Sequence, residues 1–243
     1  TDLDIVFSDE ISDIKVLNEG STTTSAAILY DILRKISSNS ELNFELKTEN
    51  KLSLKTKNSD FSLLCLPTDN FPTFSDEFNG EEIKLNNSKF LKLLNKTKIS
   101  ISNDDTRHYL NGVFLHITET QGRNFLTGVA TDSHRLSSSS LEIDKINSFN
   151  SVILPRKTVF QLCSLLAESK EQLLMYTSDN KIKFNIGNIN LISKVIDGKF
   201  PDYKKVIPTN NEKIMLVSSK DFISSIERVA SVSLDRKEGV KLA

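Results

Sequence analysis

The sequence predicts an α+β fold assembled from tandem copies of one unit of about 130 residues. Three observations carry that expectation. Apolar residues alternate with polar ones over many short runs, as half-buried antiparallel strands require. A few segments instead carry an apolar stripe at helical spacing. And features recur at a nearly constant distance, the signature of a repeat architecture. Thr1-Asp2-Leu3-Asp4-Ile5 returns as Thr131-Asp132-Ser133-His134-Arg135, and Phe71-Pro72-Thr73-Phe74 as Phe200-Pro201-Asp202-Tyr203. Ile83-Lys84-Leu85 with Phe90-Leu91 returns as Met215-Leu216-Val217 with Phe222-Ile223.

The elements follow in order. Leu3, Ile5 and Phe7 alternate, as do Leu42, Phe44 and Leu46, then Leu52 and Leu54, and later Ile182, Phe184 and Ile186. Glu49-Asn50 and Asp179-Asn180 lie between such runs and are expected as hairpin turns. Ala26–Ile36 carries Ile28, Leu29, Ile32, Leu33 and Ile36 on one stripe and is expected as a helix, with 156–166 as its repeat partner. Pro155 suits the first position of that second helix. Residues 88–97 place Phe90, Leu91 and Leu94 on one side, with Ser88 as N-cap. Their partner is 220–230, with Ser218 or Ser219 as cap. Each full unit thus reads strand, helix, strands, helix, strands, two helices lying against antiparallel sheet.

The register divides the chain into residues 1–80, the latter part of a first copy, 81–210, a complete copy, and 211–243, the opening of a third. The chain is therefore expected to be a piece of a longer protein. The junctions near Gly80-Glu81 and Asn210-Asn211 are short and polar, which suggests copies docked in a fixed arrangement rather than strung on linkers.

Composition narrows the function classes. The 243 residues have a net charge of −1, with 38% apolar and 26% charged residues, as in a globular protein without an overall bias toward polyanions. No apolar run is long enough to cross a bilayer. Cys65 and Cys163 stand alone in apolar surroundings and are expected as buried thiols. His108, His116 and His134 lack ligand spacing to one another or to the cysteines, so no metal is expected. Eight glycines leave little room for a phosphate-binding loop, and no cofactor is expected.

Against that neutral background one helix stands out. Lys89, Lys92 and Lys96 fall at i, i+3 and i+7, which puts three ammonium groups on the face opposite the apolar stripe. Arg156-Lys157 opens another helix, where cations oppose the positive end of the helix dipole. Arg34 and Lys35, and Lys220 and Arg228, lie on the other two. Each alone reads as a solvated face. Recurrence over several copies of one unit suggests a cationic lining suited to phosphate contacts, which carry no sequence information.

Val129-Ala130-Thr131-Asp132-Ser133-His134-Arg135-Leu136 is the most distinctive string. It is not a catalytic triad, because neighbours on a strand point to opposite faces and no nucleophile elbow is present. It resembles the Ala-Thr-Asp-Gly-His-Arg-Leu signature of the bacterial DNA polymerase III beta subunits, the replicative sliding clamps. Residues 197–208 (Asp-Gly-Lys-Phe-Pro-Asp-Tyr-Lys-Lys-Val-Ile-Pro), 107–112 (Arg-His-Tyr-Leu-Asn-Gly) and 153–157 (Ile-Leu-Pro-Arg-Lys) match further motifs of that family in the same order. The resemblance covers the whole chain.

The resemblance implies repeated DNA-clamp domains, each of antiparallel sheets with two helices on the inner face. It implies a processivity factor without catalysis: two full-length subunits close head to tail as a homodimer ring around double-stranded DNA, in the bacterial cytoplasm. Replicative polymerase, clamp loader and other clamp-binding-motif proteins would dock by short apolar peptides. Matched by motif, that pocket uses Arg107, Leu110, Thr131, Ser133, His134, Arg135, Leu136, Pro201, Lys205 and Val206. The DNA-facing set is Lys89, Lys92, Lys96, His108, Tyr109, Arg156 and Lys157, with Asp104 an unfavourable neighbour. Phe61 and Val232 fall at the dimer interface. Ser133 stands where the family usually has Gly, and Lys205 where Arg is common, which removes a planar fork of donors. The family's C-terminal tail completes the pocket and lies beyond this chain, so weak peptide binding and a monomer or non-native assembly are expected. The alternatives are a repeat-built protein-interaction module without a nucleic-acid role and, more distantly, a hydrolase using Asp132 and His134.

Overall fold

A computed structural model describes residues 1–48, 50–72, 78, 80–232 and 239–242. Strands β1 (Ile5–Ser8) and β2 (Thr23–Thr24) precede helix α1 (Ala26–Leu33), followed by β3 (Asn43–Thr48), β4 (Lys51–Lys55) and β5 (Asp60–Leu66). Next come β6 (Ile83–Leu85), α2 (Asn87–Thr97), β7 (Gly112–Thr120), β8 (Arg123–Thr131) and β9 (Leu136–Ile143). Then follow β10 (Val152–Pro155), α3 (Arg156–Glu168), β11 (Leu173–Thr177), β12 (Lys181–Ile186), β13 (Ile189–Lys194) and α4 (Ser219–Ala230). Glu49 of the expected hairpin and Thr73-Phe74 of the expected repeat lie outside the described residues.

The chain divides into two units, residues 1–200 and 201–243. In the first, three antiparallel sheets run in the orders β1-β13-β12-β11-β6, β10-β7-β8-β9 and β2-β5-β4-β3. This is the α+β class the alternation predicts. Residues 83–194 form two like halves, β6-α2-β7-β8-β9 and β10-α3-β11-β12-β13, and each half lends its first strand to the other's sheet. Their common core gathers Phe90, Leu93 and Leu94 from α2, Val159 and Leu162 from α3, and the inward residues of both sheets. The Phe90 and Phe184 rings meet there at 6.0 Å. The two helices also pack on each other.

The β2-α1-β3-β4-β5 segment repeats the order of β10-α3-β11-β12-β13 about 130 residues earlier. The pairing of β2 with β5 corresponds to the bridge between Ile153 and Ile196. Its core is smaller: Leu29 and Ile32 of α1 rest on Leu52, Leu63 and Cys65. β3 is the edge strand of its sheet, and Phe44 and Leu46 on it are exposed rather than half-buried.

Helix ends differ from the sequence expectation where two residues compete for one role. Ser88 does not cap α2. Asn86 does, accepting from the Lys89 amide at 3.0 Å, and Ser88 Oγ donates to Asn86 Oδ1 at 2.8 Å. Asn is as good a cap as Ser, and β6 ends just before it. Helix α1 stops at Leu33 rather than Ile36, because the amides of Lys35 and Ile36 turn back to carbonyls three residues earlier. Pro155 occupies the N-cap position, one residue before the helix proper, and the first α3 amide, Arg156 N–H, donates to the Asn111 carbonyl at 2.9 Å. The second unit holds α4, capped by Ser218.

Gly112 makes that junction possible. A Cβ there would sit 2.3 Å from the Leu154 carbonyl oxygen, a backbone atom with nowhere to go. Gly112→Ala is expected to destabilise the protein by about 1–3 kcal/mol through overpacking, read as a lowered denaturation midpoint.

Candidate functional site

The cationic helical face is present. Lys89, Lys92 and Lys96 are exposed, while Phe90, Leu93, Leu94 and Thr97 are buried on the other side of α2. No acidic residue lies on α2, and α3 carries only Glu168, at its far end. Arg156 is exposed at the start of α3, with its guanidinium carbon 4.9 Å from the Phe160 ring centre. Lys157 is differently engaged: its ammonium pairs with the Asp2 carboxylate, which turns it toward the β1 end of the chain.

Between α2 and β7 lies a short 3₁₀ segment, Asp105–Leu110, that ties several turns together. Asp104 caps it, accepting from the Thr106 amide and hydroxyl and from Arg107 Nε at 2.8 Å. Those hydrogen bonds, the Thr106 side chain foremost, hold the Asp104 carboxyl below its ordinary pKa. Its charge is thus answered locally. The other end of the Arg107 fork donates to Ser133 Oγ at 2.6 Å. His108 Nε2 lies 3.1 Å from the Asp197 carbonyl oxygen. A carbonyl can only accept, so Nε2 carries the proton. Beside it, Gly198 has φ +157, and a Cβ there would lie 3.0 Å from Tyr109 Cβ. His108 is exposed and Tyr109 half-buried. Leu110 is buried at 2% exposure, so it supports this segment from the core side.

The Thr131–Arg135 turn is built by side chains gripping the backbone. Thr131 Oγ1 accepts from the Ser133 amide at 3.1 Å, and Asp132 Oδ1 accepts from the His134 and Arg135 amides, each at 3.0 Å. Arg135 Nε closes on Asp132 Oδ2 at 3.0 Å. Burial pushes the Asp132 carboxyl up, but the Arg135 and His134 amides and the Arg135 guanidinium outweigh it and leave the group below its ordinary pKa. Ser133 takes φ 76, in the left-handed region that Gly adopts most easily. The Asp132 carboxylate bonds the His134 backbone rather than its ring, so the hydrolase reading loses its geometry.

The same three amide bonds build a turn at residues 1–5, without a counterpart of the Arg135–Asp132 pair. Thr1 Oγ1 accepts from the Leu3 amide at 3.2 Å, and Asp2 Oδ1 accepts from the Asp4 and Ile5 amides at 3.2 and 2.9 Å. Leu3, like Ser133, has φ 76. A strand follows each turn. After the first, β1 joins β13 of the complete copy, with Ile5 opposite Ser193 and Phe7 opposite Leu191. The Asp4–Lys194 ion pair and Asp2–Lys157 reinforce that junction. After the second comes β9, an edge strand paired only with β8 among the described residues. Sequence comparison of the two segments reveals the repeated Thr-Asp pair. It does not reveal Asp132 as the organiser of the turn, although an Asp with free amides two and three residues on is the signal for such a turn.

The remaining candidates lie apart. Leu136 is half-buried at the start of β9. Pro201, Lys205 and Val206 belong to the second unit, where all three are exposed and Lys205 pairs with Asp202 at 3.1 Å. Phe61, half-buried on β5, lines an open groove of about 460 Å³ with Ile28, Ile32 and Ile36. Val232 is exposed. Among the described residues no cluster of side chains is arranged to hold a metal ion.

Comparison with known proteins places these features. The model of the DNA polymerase III beta subunit central domain matches residues 84–202, and that of its N-terminal domain matches residues 1–75. The beta sliding clamp of Caulobacter vibrioides is 35% identical over 246 residues, covering 100% of this chain and 66% of that protein. Those of Rickettsia felis and Escherichia coli are 37% and 32% identical, with 64% and 65% of their lengths covered. The solved beta sliding clamp of C. crescentus matches 97% of this chain and 63% of its own at a TM-score of 0.93 and 33% identity. A sliding clamp from Bartonella birtlesii does so at a TM-score of 0.91 and 36% identity, over 97% of this chain and 63% of that one. The chain thus spans just under two thirds of the length of the curated relatives it matches.

The depressed Asp132 carboxyl stabilises the turn above the unfolded-state value of about 3.8, and that contribution is lost as pH falls through the lower folded value. The amide resonances of His134 and Arg135 are expected to titrate together with a midpoint below 3.8. Asp132→Asn is expected to abolish that titration and to cost about 1–2 kcal/mol in chemical unfolding.

Proposed function

This chain belongs to the DNA polymerase III beta-subunit family, and on that premise we propose that it is the DNA-encircling part of a sliding clamp, a non-catalytic processivity factor. The observation that carries the proposal is the repeated turn and the strand that leaves it. In the first copy a turn delivers β1 to the open edge of the next copy's sheet. The corresponding turn at 131–135 delivers β9, whose outer edge awaits the corresponding strand of a further copy. Head-to-tail contacts of this kind close into a ring when the rotation per unit permits it. Lys157 apart, the cations that α2 and α3 present on their exposed sides have no carboxylate partner among the described residues, and a ring lined by them would hold a phosphate rod by enclosure and sequence-independent attraction.

In this reading Lys89, Lys92, Lys96, His108, Tyr109 and Arg156 face the duplex. Lys157 contributes less, because Asp2 neutralises it. Short partner peptides, such as those of a replicative polymerase or clamp loader, dock against Arg107, Thr131, Ser133, His134, Arg135 and Leu136. Leu110 supports that surface from within, and a part in peptide docking is proposed for Pro201, Lys205 and Val206 in the following unit. The groove beside Phe61 takes an apolar patch of a second subunit, near Val232. Such a protein works in the cytoplasm, where the chromosome is replicated. A protein-interaction module without nucleic acid would leave the acid-free cationic face of α2 without a purpose.

The longer protein containing this chain is expected to stay on circular duplex DNA after loading and to be released when that DNA is linearised, as followed by gel filtration. Equal loss from circular and linear DNA would refute enclosure. For direct duplex binding, replacing Lys89, Lys92 and Lys96 together by Gln is expected to lower the salt-dependence slope by up to about 3, at roughly 0.9 for each phosphate no longer neutralised. Phe61→Ala is expected to shift the longer protein from dimer to monomer in light scattering, while the denaturation midpoint of this chain changes little.

A further inference from the structure

Phe160 is an aromatic ring left 41% exposed on α3, on the side of the helix away from Val159, Leu162 and the core. Two cations from different elements close on it. Lys98 Nζ, from the short turn after α2, lies 5.4 Å from the ring centre, and the Arg156 guanidinium carbon lies 4.9 Å from it. Both distances are within reach of a cation–π attraction. Neither cation has a carboxylate partner within ion-pairing distance among the described residues. Lys98 has the Cys163 thiol as its other neighbour, one turn along from Phe160. The ring therefore gathers two like charges that would otherwise repel, Arg156 exposed and Lys98 half-buried.

The arrangement recurs. Residue 30, one repeat earlier and at the same place on α1, is also an exposed aromatic, Tyr30, with the Arg34 guanidinium 5.9 Å from its ring centre. There the cation is answered by Asp31 at 3.1 Å. The copy at Phe160 has two cations and no such acid.

We infer that Phe160 organises Lys98 and Arg156 into a two-pronged grip for one backbone phosphate of the enclosed duplex. The inference rests on the clamp reading above and adds two residues to it. A planar ring holds the flexible Lys98 and Arg156 stems in place before the phosphate arrives, so less side-chain freedom is lost on contact. Phe160 is a positioning residue, and Lys98 and Arg156 are the groups that touch the anion.

The test is duplex binding by this chain, measured as fluorescence anisotropy of a labelled blunt-ended duplex over a range of salt. Lys98→Gln and Arg156→Gln are each expected to lower the salt slope by about 0.9. Phe160→Leu keeps an apolar side chain but removes the ring, and it is expected to weaken binding about threefold, the size of one exposed cation–π contact. Phe160→Tyr restores the ring and native affinity. In a chain already carrying both Gln substitutions, Phe160→Leu has no further effect. Unchanged binding by Phe160→Leu, or an equal loss with and without the two cations, overturns the inference. If the Lys89, Lys92 and Lys96 substitutions weaken binding in the same assay while Phe160→Leu does not, only the grip is refuted; if none of them matters, the duplex reading fails with it.

Discussion

An aspartate carboxylate that accepts consecutive backbone amides is the interaction on which the rest of this structure depends. At Asp132, and again at Asp2, it bends the chain into a turn that ordinary strand geometry would not give. The bend forces the next residue into the left-handed region, at Ser133 and Leu3 alike. That conformation is costly for a side chain with a Cβ, by roughly 1–2 kcal/mol. The hydrogen bonds from Thr and Asp offset the cost. The return is a strand released at a fixed angle at the edge of a copy, ready to join another copy's sheet. An unprotected edge is normally a hazard, because it offers a template for any strand. Here the fold uses the edge for assembly.

Burial and charge then separate cleanly. Residues 83–194 enclose their core between two sheets and two helices, and both helices, the exposed Phe160 apart, turn their large apolar side chains toward that core. Three lysines on α2 raise the energy of the isolated helix, since like charges three and four residues apart repel. No acidic residue on α2 itself offsets that repulsion. The Asp2–Lys157 and Asp4–Lys194 pairs, by contrast, lie at the junction of two copies, where their charges reinforce a strand pairing rather than a ligand. Cations at this protein's surface are therefore of two kinds, and only the partner side chains distinguish them.

Local patterns are legible in the sequence, and long-range partners are not. The alternation of Ile182, Phe184 and Ile186 fixes a strand because the period of side-chain direction is two. The Thr-Asp repeat is visible because the bonds it makes stay within four residues. Asn86 and Ser88 are equally suited to cap α2, and only the end of β6 decides in favour of Asn86. Lys157 reads as a free cation because Asp2 is far away in sequence. Lys98 and Phe160 give no joint signal, since a turn and a helix on separate elements bring them together. The exposure of edge strand β3 does not follow from the alternation of Phe44 and Leu46, because a strand's place at a sheet edge is a tertiary fact.

Amide hydrogen exchange along β9 would bear most directly on strand-by-strand assembly. It would compare this chain with the longer protein that carries a further copy. The β1 amides bonded to β13 should be protected in both. The outward amides of β9 should exchange rapidly in this chain and slow by about a hundredfold or more once the next copy is present, as expected for a newly paired strand. Rapid exchange along β9 in both proteins would mean that copies meet some other way, and the ring built on that junction would have no support.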